Sequence, residues 1–426
     1  MRIYPKIATC RRGRRWLAGA AVLALALGGA LYWWTRAAPI APVAPPPPPS
    51  AAMLAAGARI VALGDCMVCH TAQGGATYAG GLGLKTPFGT IYSTNITPDP
   101  GTGIGRWSLP AFTRALREGV SRDGHLLYPA FPYIHYTRMR DGDIALAYSY
   151  LMTRTPVTVR QPDNDLPLPL KFRPMLAFWN LLYLRPGPAA PAQDATTPVA
   201  RGRYLVDTLG HCASCHSGLN PIGGERHPPF QGGEIDGWNA PALTRLAHGP
   251  NPWTQKELAD YLRGGLSLAH GAAKGPMRPV TERLASVPRE DVEAMASYLM
   301  TLQAPATPAV PAPAPPVQAT GQGAALFAAA CAGCHAQSAP MMALSGRPAL
   351  ARSSALTGAS AANFVQTVLG GIPWERGSPV YMPPFAATLT DAQVGALASW
   401  LRQDAGLPAW RDVPETSKKR RKELQP

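Results

Sequence analysis

Cys66-Met67-Val68-Cys69-His70, Cys212-Ala213-Ser214-Cys215-His216 and Cys331-Ala332-Gly333-Cys334-His335 are three copies of one five-residue motif. Six of the seven cysteines in this chain of 426 residues belong to these copies. In each copy two thiols stand one helical turn apart, and a histidine follows the second thiol. This C-x-x-C-H pattern is typical of haem c attachment, in which the thiols bind the porphyrin and the imidazole binds the iron. The sequence therefore predicts three covalently bound haem c groups.

Paired cysteines have two other common uses. A structural zinc site needs further Cys or His ligands at short spacing, whereas the pairs here stand far apart in the sequence. A redox dithiol or a disulfide does not require a histidine after every second cysteine. Haem attachment is therefore favoured, and its predicted residues are Cys66, Cys69, His70, Cys212, Cys215, His216, Cys331, Cys334 and His335.

Composition agrees with small domains built around a large apolar group. Charged residues make up 15% of the chain, which has 42 glycines and 47 prolines. Such a chain forms many loops. The net charge is +15, but much of it lies at the two ends. The basic C-terminal segment reads as a solvated, disordered tail, and we expect no nucleic-acid partner.

The N-terminal region has the features of a membrane anchor. Residues 1–15 carry basic and no acidic side chains, and residues 16–34 form the apolar run WLAGAAVLALALGGALYWW. This run is long enough to span a bilayer, and the basic flank predicts a cytoplasmic N-terminus. A cleaved signal peptide stays open as an alternative. In either case the haem regions are expected in the periplasm, facing out from the bacterial cytoplasmic membrane.

Proline-rich segments divide the remaining chain. Residues 160–196 contain prolines and many large apolar side chains, so this connector either packs on its own domains or contacts a partner or the membrane. The predicted segments are a cytoplasmic basic segment 1–15, a transmembrane anchor 16–34, a Pro-rich linker 35–52, haem domain one 53–159, the connector 160–196, haem domain two 197–303, a Pro/Ala linker 304–318, haem domain three 319–406 and a basic tail 407–426.

An internal repeat relates the haem regions. The following pairs share one sequence offset: Cys66 and Cys212, Trp107 and Trp253, Arg117 and Arg263, Gly119 and Gly265. The segments 112–121, 258–267 and 363–372 each read as a helix ended by glycine. Each region then ends in another helix, preceded by an apolar residue and a capping first turn. These apolar residues are Met139, Val287 and Leu389.

Together with the motif helix, this pattern resembles a class I cytochrome c domain in all three regions. The resemblance implies an all-α fold of three tandem class I cytochrome c domains after an N-terminal transmembrane helix. It also implies that the sixth iron ligand, usually methionine, lies in a loop shortly before the last helix. Met277 and Met382 lie in such loops and are predicted iron ligands. His270 competes with Met277.

The first region departs from this pattern. Its loop has Phe131 at the place of the methionine, and phenylalanine cannot bind iron. Met139 aligns with the apolar residues before the last helices, so we expect a core position for it. His135 is then the predicted sixth ligand. A hydrogen-bonded histidine, Met139 as the ligand and an open iron position are the alternatives.

Two further sequence segments indicate a more specific family. Residues 89–107 read GTIYSTNITPDPGTGIGRW, and residues 127–133 read LYPAFPY. From about residue 55 to 403 the chain resembles the tri-haem cytochrome c subunit of bacterial membrane-bound periplasmic dehydrogenases. The resemblance implies that a separate catalytic subunit oxidises the substrate. This chain, itself not an enzyme, then relays electrons to membrane quinone or a terminal oxidase.

Two other functions stay open. An open iron position at haem one would suit a peroxidase-like or reductase-like multihaem enzyme. A stand-alone electron shuttle would have the same haem domains and no fixed partner. The sequence carries no dinucleotide-binding fingerprint, P-loop or nucleophile elbow.

Overall fold

The computed structural model describes residues 10–187, 196–248, 251–305, 321–340, 342, 350–373 and 381–424. Residues 1–9 of the predicted basic segment and 306–318 of the predicted linker lie outside these ranges. Helix α1, Cys10–Thr35, contains the predicted anchor. In the described part of the chain, Trp16–Thr35 is the one helix long and apolar enough to cross a membrane, a test that a signal sequence also passes.

The first helical unit follows the predicted order and adds a hairpin. Helix α4 ends at Gly119, whose φ of +64° is a left-handed conformation that favours glycine. The strands pair antiparallel, from Gly83 opposite Tyr92 to Thr86 opposite Gly89. The elements are α2 Ala51–Leu63, α3 Cys66–Cys69, β1 Gly83–Thr86, β2 Gly89–Tyr92, α4 Leu109–Glu118, α5 Tyr133–Tyr136 and α6 Asp141–Leu151.

The connector is largely helical and packs on both neighbouring units. It contains α7 Leu168–Lys171, a 3-10 turn at Arg173–Met175 and α8 Leu176–Tyr183. The hydroxyl of Tyr133 in the first unit donates to Asn180 Oδ1 at 2.6 Å. Trp179 Nε1–H donates to Ile222 O of the second unit at 3.1 Å. Leu168 and Leu181 remain 85% and 74% exposed, so the connector also keeps an apolar surface.

The second unit repeats the order of the first with two hairpins. Helix α11 begins with a capping box at Thr254 and Glu257 and ends at Gly265, with a φ of +66°. The elements are α9 Pro198–Tyr204, a π-helical turn Leu205–Leu209, α10 Ala213–His216, β3 Gly233–Ile235, β4 Trp238–Ala240, a 3-10 turn Leu243–Arg245, α11 Gln255–Gly264, β5 Leu266–Ser267, β6 Gly271–Ala272, α12 Met277–Leu284 and α13 Arg289–Thr301.

The described residues of the third unit form helices joined by loops, with one isolated antiparallel bridge between Ile372 and Met382. Its elements are α14 Gly321–Leu326, a π-helical turn Phe327–Cys331, α15 Ala332–His335, a 3-10 turn Leu350–Arg352, α16 Ser354–Thr357, α17 Ala362–Gly370, α18 Asp391–Asp404 and α19 Val413–Glu423. Counting all described residues, the chain has three two-stranded antiparallel ladders beside its helices. The expectation of an all-α fold therefore holds only in part. These strands of two to four residues are too short to produce a recognisable alternating pattern.

The first helix of each unit crosses a later helix at a glycine, where α2 meets α6, α9 meets α13 and α14 meets α18. An added Cβ would lie 2.7 Å from Tyr150 Cβ at Gly57, 2.9 Å from Tyr298 Cβ at Gly202 and 2.5 Å from Trp400 Cβ at Gly323. Carbon atoms do not approach this closely without displacement. The three helix pairs can therefore pack this tightly only because glycine stands at each crossing.

One hydrophobic core joins the first two units. Leu151 of the first unit and Leu299 of the second belong to the same continuous cluster of buried side chains. The third unit has a separate cluster that includes Val365 and Leu397. The sequence predicted separate haem domains and gave no sign that two of them share a core.

The basic C-terminal segment is a packed helix. Helix α19 contacts α17 and α18, and Val413 is 2% exposed. The Ser417 hydroxyl donates to Asp391 Oδ1 at 2.6 Å, and Arg421 Nε–H donates to the same oxygen at 3.1 Å. The prediction of a disordered tail was wrong. It was based on the charge of the segment, whereas one face of α19 is buried against α17 and α18.

We expect Gly202→Ala to lower the free energy of unfolding by about 1–3 kcal/mol, the usual cost of overpacking. This loss should appear although alanine is the better helix former by about 1 kcal/mol. The measurement is a guanidinium unfolding titration of the haem-loaded protein. Gly264→Ala is the matched control, because no atom lies within 4 Å of a Cβ added at that helical glycine. An equal loss of unfolding free energy in the two variants would show that the helix crossing does not require glycine.

Candidate haem-binding sites

The three motifs occupy short helices that follow the first helix of each unit. The first motif forms α3, and the second and third form α10 and α15. A π-helical turn precedes each of the latter two motifs. All six motif cysteines are free thiols. In the described ranges, no three His, Cys, Asp or Glu side chains come together as metal ligands.

The motif histidines of the first two units have a fixed orientation. His70 Nδ1 lies 2.6 Å from Thr94 O, and His216 Nδ1 lies 2.7 Å from Pro241 O. Because a carbonyl oxygen only accepts, Nδ1 must carry the proton, and the lone pair then resides on Nε2. Burial lowers the pKa of both imidazoles, while the carbonyl contact opposes that shift. Each ring is therefore neutral and able to bind iron through Nε2.

The motif thiols of the first two units are protonated in the folded chain. Burial raises the pKa of Cys66 to about 12 and that of Cys69 to about 11. Burial has the same effect on the second pair, where the pKa of Cys212 is about 12 and that of Cys215 about 11. Apolar surroundings of this kind suit a porphyrin better than a reactive dithiol.

The third motif faces a large apolar cleft. Cys331, His335 and Met382 lie on its walls, together with apolar side chains such as Phe364 and Val368. The cleft is open to solvent. An imidazole, a thiol and a thioether around one apolar space fit a haem. Among the described residues that line this cleft, Lys274 is the one Lys, Arg, Asp or Glu.

The backbone holds the two predicted methionine ligands differently. Met382 forms two hydrogen bonds with Ile372, from Ile372 N–H to Met382 O at 2.8 Å and from Met382 N–H to Ile372 O at 3.0 Å. Met277 is the first residue of α12 and packs, partly buried, on the shared core. His270, its competitor, is 2% exposed and stacks on Trp253 with 3.5 Å between ring centroids.

In the first unit, the loop that would carry the methionine ligand contains an aromatic cluster. Phe131 packs against Tyr133 and Tyr136, with ring centroids 6.2 and 5.7 Å away. Met139 is 3% exposed within the shared core, as the sequence predicts.

Both ring nitrogens of His135 contact the second unit. Nδ1 lies 3.0 Å from Asp207 O, and Nε2 lies 2.7 Å from Glu225 Oε1. The Ser214 hydroxyl also donates to this carboxylate oxygen, at 3.0 Å. For His135 to bind iron, Nε2 would have to leave Glu225. Its assignment as the sixth ligand stays a prediction.

The first two motifs lie side by side across the shared core. The Tyr136 hydroxyl donates to Gly64 O at 2.7 Å, and its ring meets His211 edge-on with 5.6 Å between centroids. Arg283 Nη1–H points at Met67 Sδ at 3.8 Å. Since Gly64 and Met67 belong to the first motif region and His211 precedes the second, the two attachment sites are neighbours. Sequence reasoning missed this contact, for which no local pattern exists.

The motif helices, the oriented histidines and the apolar cleft together define a c-type cytochrome. The family model for cytochrome c matches residues 199–303, and that for subunit III of cbb3-type cytochrome c oxidase matches residues 318–401. The chain is 34% identical over 375 residues to the gluconate 2-dehydrogenase cytochrome c subunit of Pantoea cypripedii, covering 82% of this chain and 85% of that protein. It therefore belongs to the family of cytochrome c subunits of dehydrogenases.

Two more relatives support this family assignment. The cytochrome c subunit of alcohol dehydrogenase (quinone) from Gluconacetobacter polyoxogenes is 34% identical over 389 residues, covering 82% of this chain and 80% of that protein. A subunit of nicotinate dehydrogenase from Pseudomonas putida is 43% identical over 421 residues, covering 96% of this chain. The chain spans 35% of the length of that relative. The predicted role as an electron-transfer subunit is confirmed by this family membership.

We expect Tyr136→Phe to lower the free energy of unfolding by about 0.5–1.5 kcal/mol, because the buried hydrogen bond from the Tyr136 hydroxyl to Gly64 O would be lost. Thermal unfolding of the haem-loaded protein measures the loss. Tyr92→Phe is the control, since the Tyr92 hydroxyl makes no hydrogen bond to the described residues. An unchanged melting temperature for Tyr136→Phe would show that this hydrogen bond within the first unit does not stabilise the fold.

Proposed function

We propose that the chain is a membrane-anchored, tri-haem electron relay of a periplasmic dehydrogenase. Three haem c groups are attached at the three motifs, in tandem class I cytochrome c domains at residues 53–159, 197–303 and 319–406. The observation that carries this proposal is the imidazole orientation, with Nδ1 bound to a carbonyl and Nε2 directed away, which His70 and His216 share. Haem c supplies reversible one-electron chemistry when bound there.

The proposed iron ligands follow the sequence prediction. His70, His216 and His335 bind one side of each iron, and Met277 and Met382 bind the other side in the second and third domains. The position of Met382 on the cleft that also contains His335 supports its role. Methionine ligation raises the potential, whereas His135 at haem one would give a lower potential.

A separate catalytic subunit is the proposed electron donor. Three relatives are named as subunits of dehydrogenases for nicotinate, gluconate and alcohol, and they support this partner. The name of the alcohol dehydrogenase relative includes a quinone, which supports membrane quinone as acceptor, with a terminal oxidase as the other possibility. Because the relatives differ in substrate, no single substrate follows for this chain.

Helix α1 is the proposed anchor at the cytoplasmic membrane, with the haem domains on the periplasmic side. Its large apolar side chains support this placement, since Trp16 is 80% and Trp33 83% exposed. Exposed tryptophans near the ends of an apolar helix suit the two membrane interfaces. The 3-10 turn Arg173–Met175 of the connector contacts α1.

Purification of the tagged chain from native membranes in mild detergent tests the proposal. We expect a stoichiometric dehydrogenase subunit to co-purify and three haems per chain by haemochrome assay. The double variant Cys331→Ala, Cys334→Ala is the matched control and should lose one haem per chain. A cytochrome recovered without a partner would contradict the relay, and two haems per chain in the unaltered protein would contradict the tri-haem assignment.

A second candidate function is an enzyme with an open iron position at haem one. The contacts of both His135 nitrogens with Asp207 and Glu225 favour this candidate. Under our assignment, His135→Ala converts one low-spin haem to a high-spin haem in electron paramagnetic resonance spectra. A high-spin haem in the unaltered protein, unchanged by His135→Ala, would instead support the enzyme. His227→Ala is the control, because that histidine lies outside the loop before α6.

A further inference from the structure

The cleft at the third motif has walls from two units. Cys331, His335 and Met382 come from the third unit, whereas the β5–β6 hairpin and Lys274 come from the second. The group bound in this cleft therefore contacts the second unit as well. Lys274 brings the one ammonium or guanidinium group among the described residues that line the cleft.

The hairpin that precedes Lys274 is fixed to both units. Within the second unit, Ala273 N–H donates to Gly265 O at 2.7 Å. Toward the third unit, Ser354 N–H donates to His270 O at 2.8 Å, and Asn251 Nδ2–H donates to Arg352 O at 3.1 Å. Lys274 therefore projects from a rigid support, and its place in the cleft does not depend on a free loop.

The ammonium group of Lys274 lacks an anionic partner in the described part of the chain. The side chain of Lys274 is half-buried, and the described residues that line the cleft include no carboxylate. By contrast, the ammonium of Lys256 is exposed and forms an ion pair with Asp260. A cation in apolar surroundings is costly unless an anion pairs with it, so the occupant of the cleft is expected to carry a negative group.

We propose that Lys274 binds a propionate carboxylate of the haem attached at Cys331 and Cys334. This inference rests on the proposed function, which places a haem at the third motif. Lys274 is then a positioning residue that links the second unit to the third haem. Its positive charge also stabilises the reduced haem relative to the oxidised one, because the oxidised haem carries one more positive charge.

Redox titration of the purified holoprotein, followed by haem absorbance, tests this role. For Lys274→Met we expect the equilibrium constant for reducing the third haem to fall about tenfold, which is about 59 mV in midpoint potential for a one-electron couple. Lys274→Arg should stay within about threefold of the unaltered protein, since it keeps the charge. Lys256→Met removes the same charge at an exposed site and should leave the third haem unchanged.

The third haem is identified as the component absent from the double variant Cys331→Ala, Cys334→Ala. If that variant keeps its haem count, the proposed function fails at this motif. If the third haem is present and Lys274→Met leaves its potential unchanged, the pairing with Lys274 is wrong and the proposed function stands. An equal shift in Lys256→Met would also overturn the pairing, since net charge alone would then explain the change.

Discussion

The crossing of the first helix with a later helix at a glycine is the contact on which each unit depends. The C-x-x-C-H motif follows the first helix, and the candidate sixth ligand precedes the helix that crosses it. Fixing the distance between these helices therefore fixes the two sides of the haem site relative to each other. The same contact recurs at Gly57, Gly202 and Gly323. A side chain there would separate the attachment residues from the opposite wall.

The three units are joined in two different ways. The first and second share one hydrophobic core. Tyr136 of the first unit meets His211 of the second, and Arg283 of the second reaches Met67 of the first. The third unit keeps its own core and meets the second mainly through the β5–β6 hairpin and polar bonds. Neighbouring motifs across a packed core give short, constant separations, as electron transfer between fixed cofactors requires.

Local patterns in the sequence predicted local structure well. The motif helices and the left-handed glycines that end α4 and α11 follow from residue spacing and glycine chemistry. Met139 was also predicted correctly as a core residue. The shared core, the contacts of His135 and the packing of α19 depend on which surfaces meet in space. Such contacts join residues far apart in the chain and leave no periodic signal within either segment.

The burial of the motif thiols has a consequence for maturation. A thiol whose pKa is about 12, as for Cys66 and Cys212, supplies almost no thiolate at neutral pH. Both cysteines are partly buried beside the shared core, and the folded chain without cofactor keeps them as protonated thiols. Addition of a haem to this fold would therefore start from weakly nucleophilic sulfur.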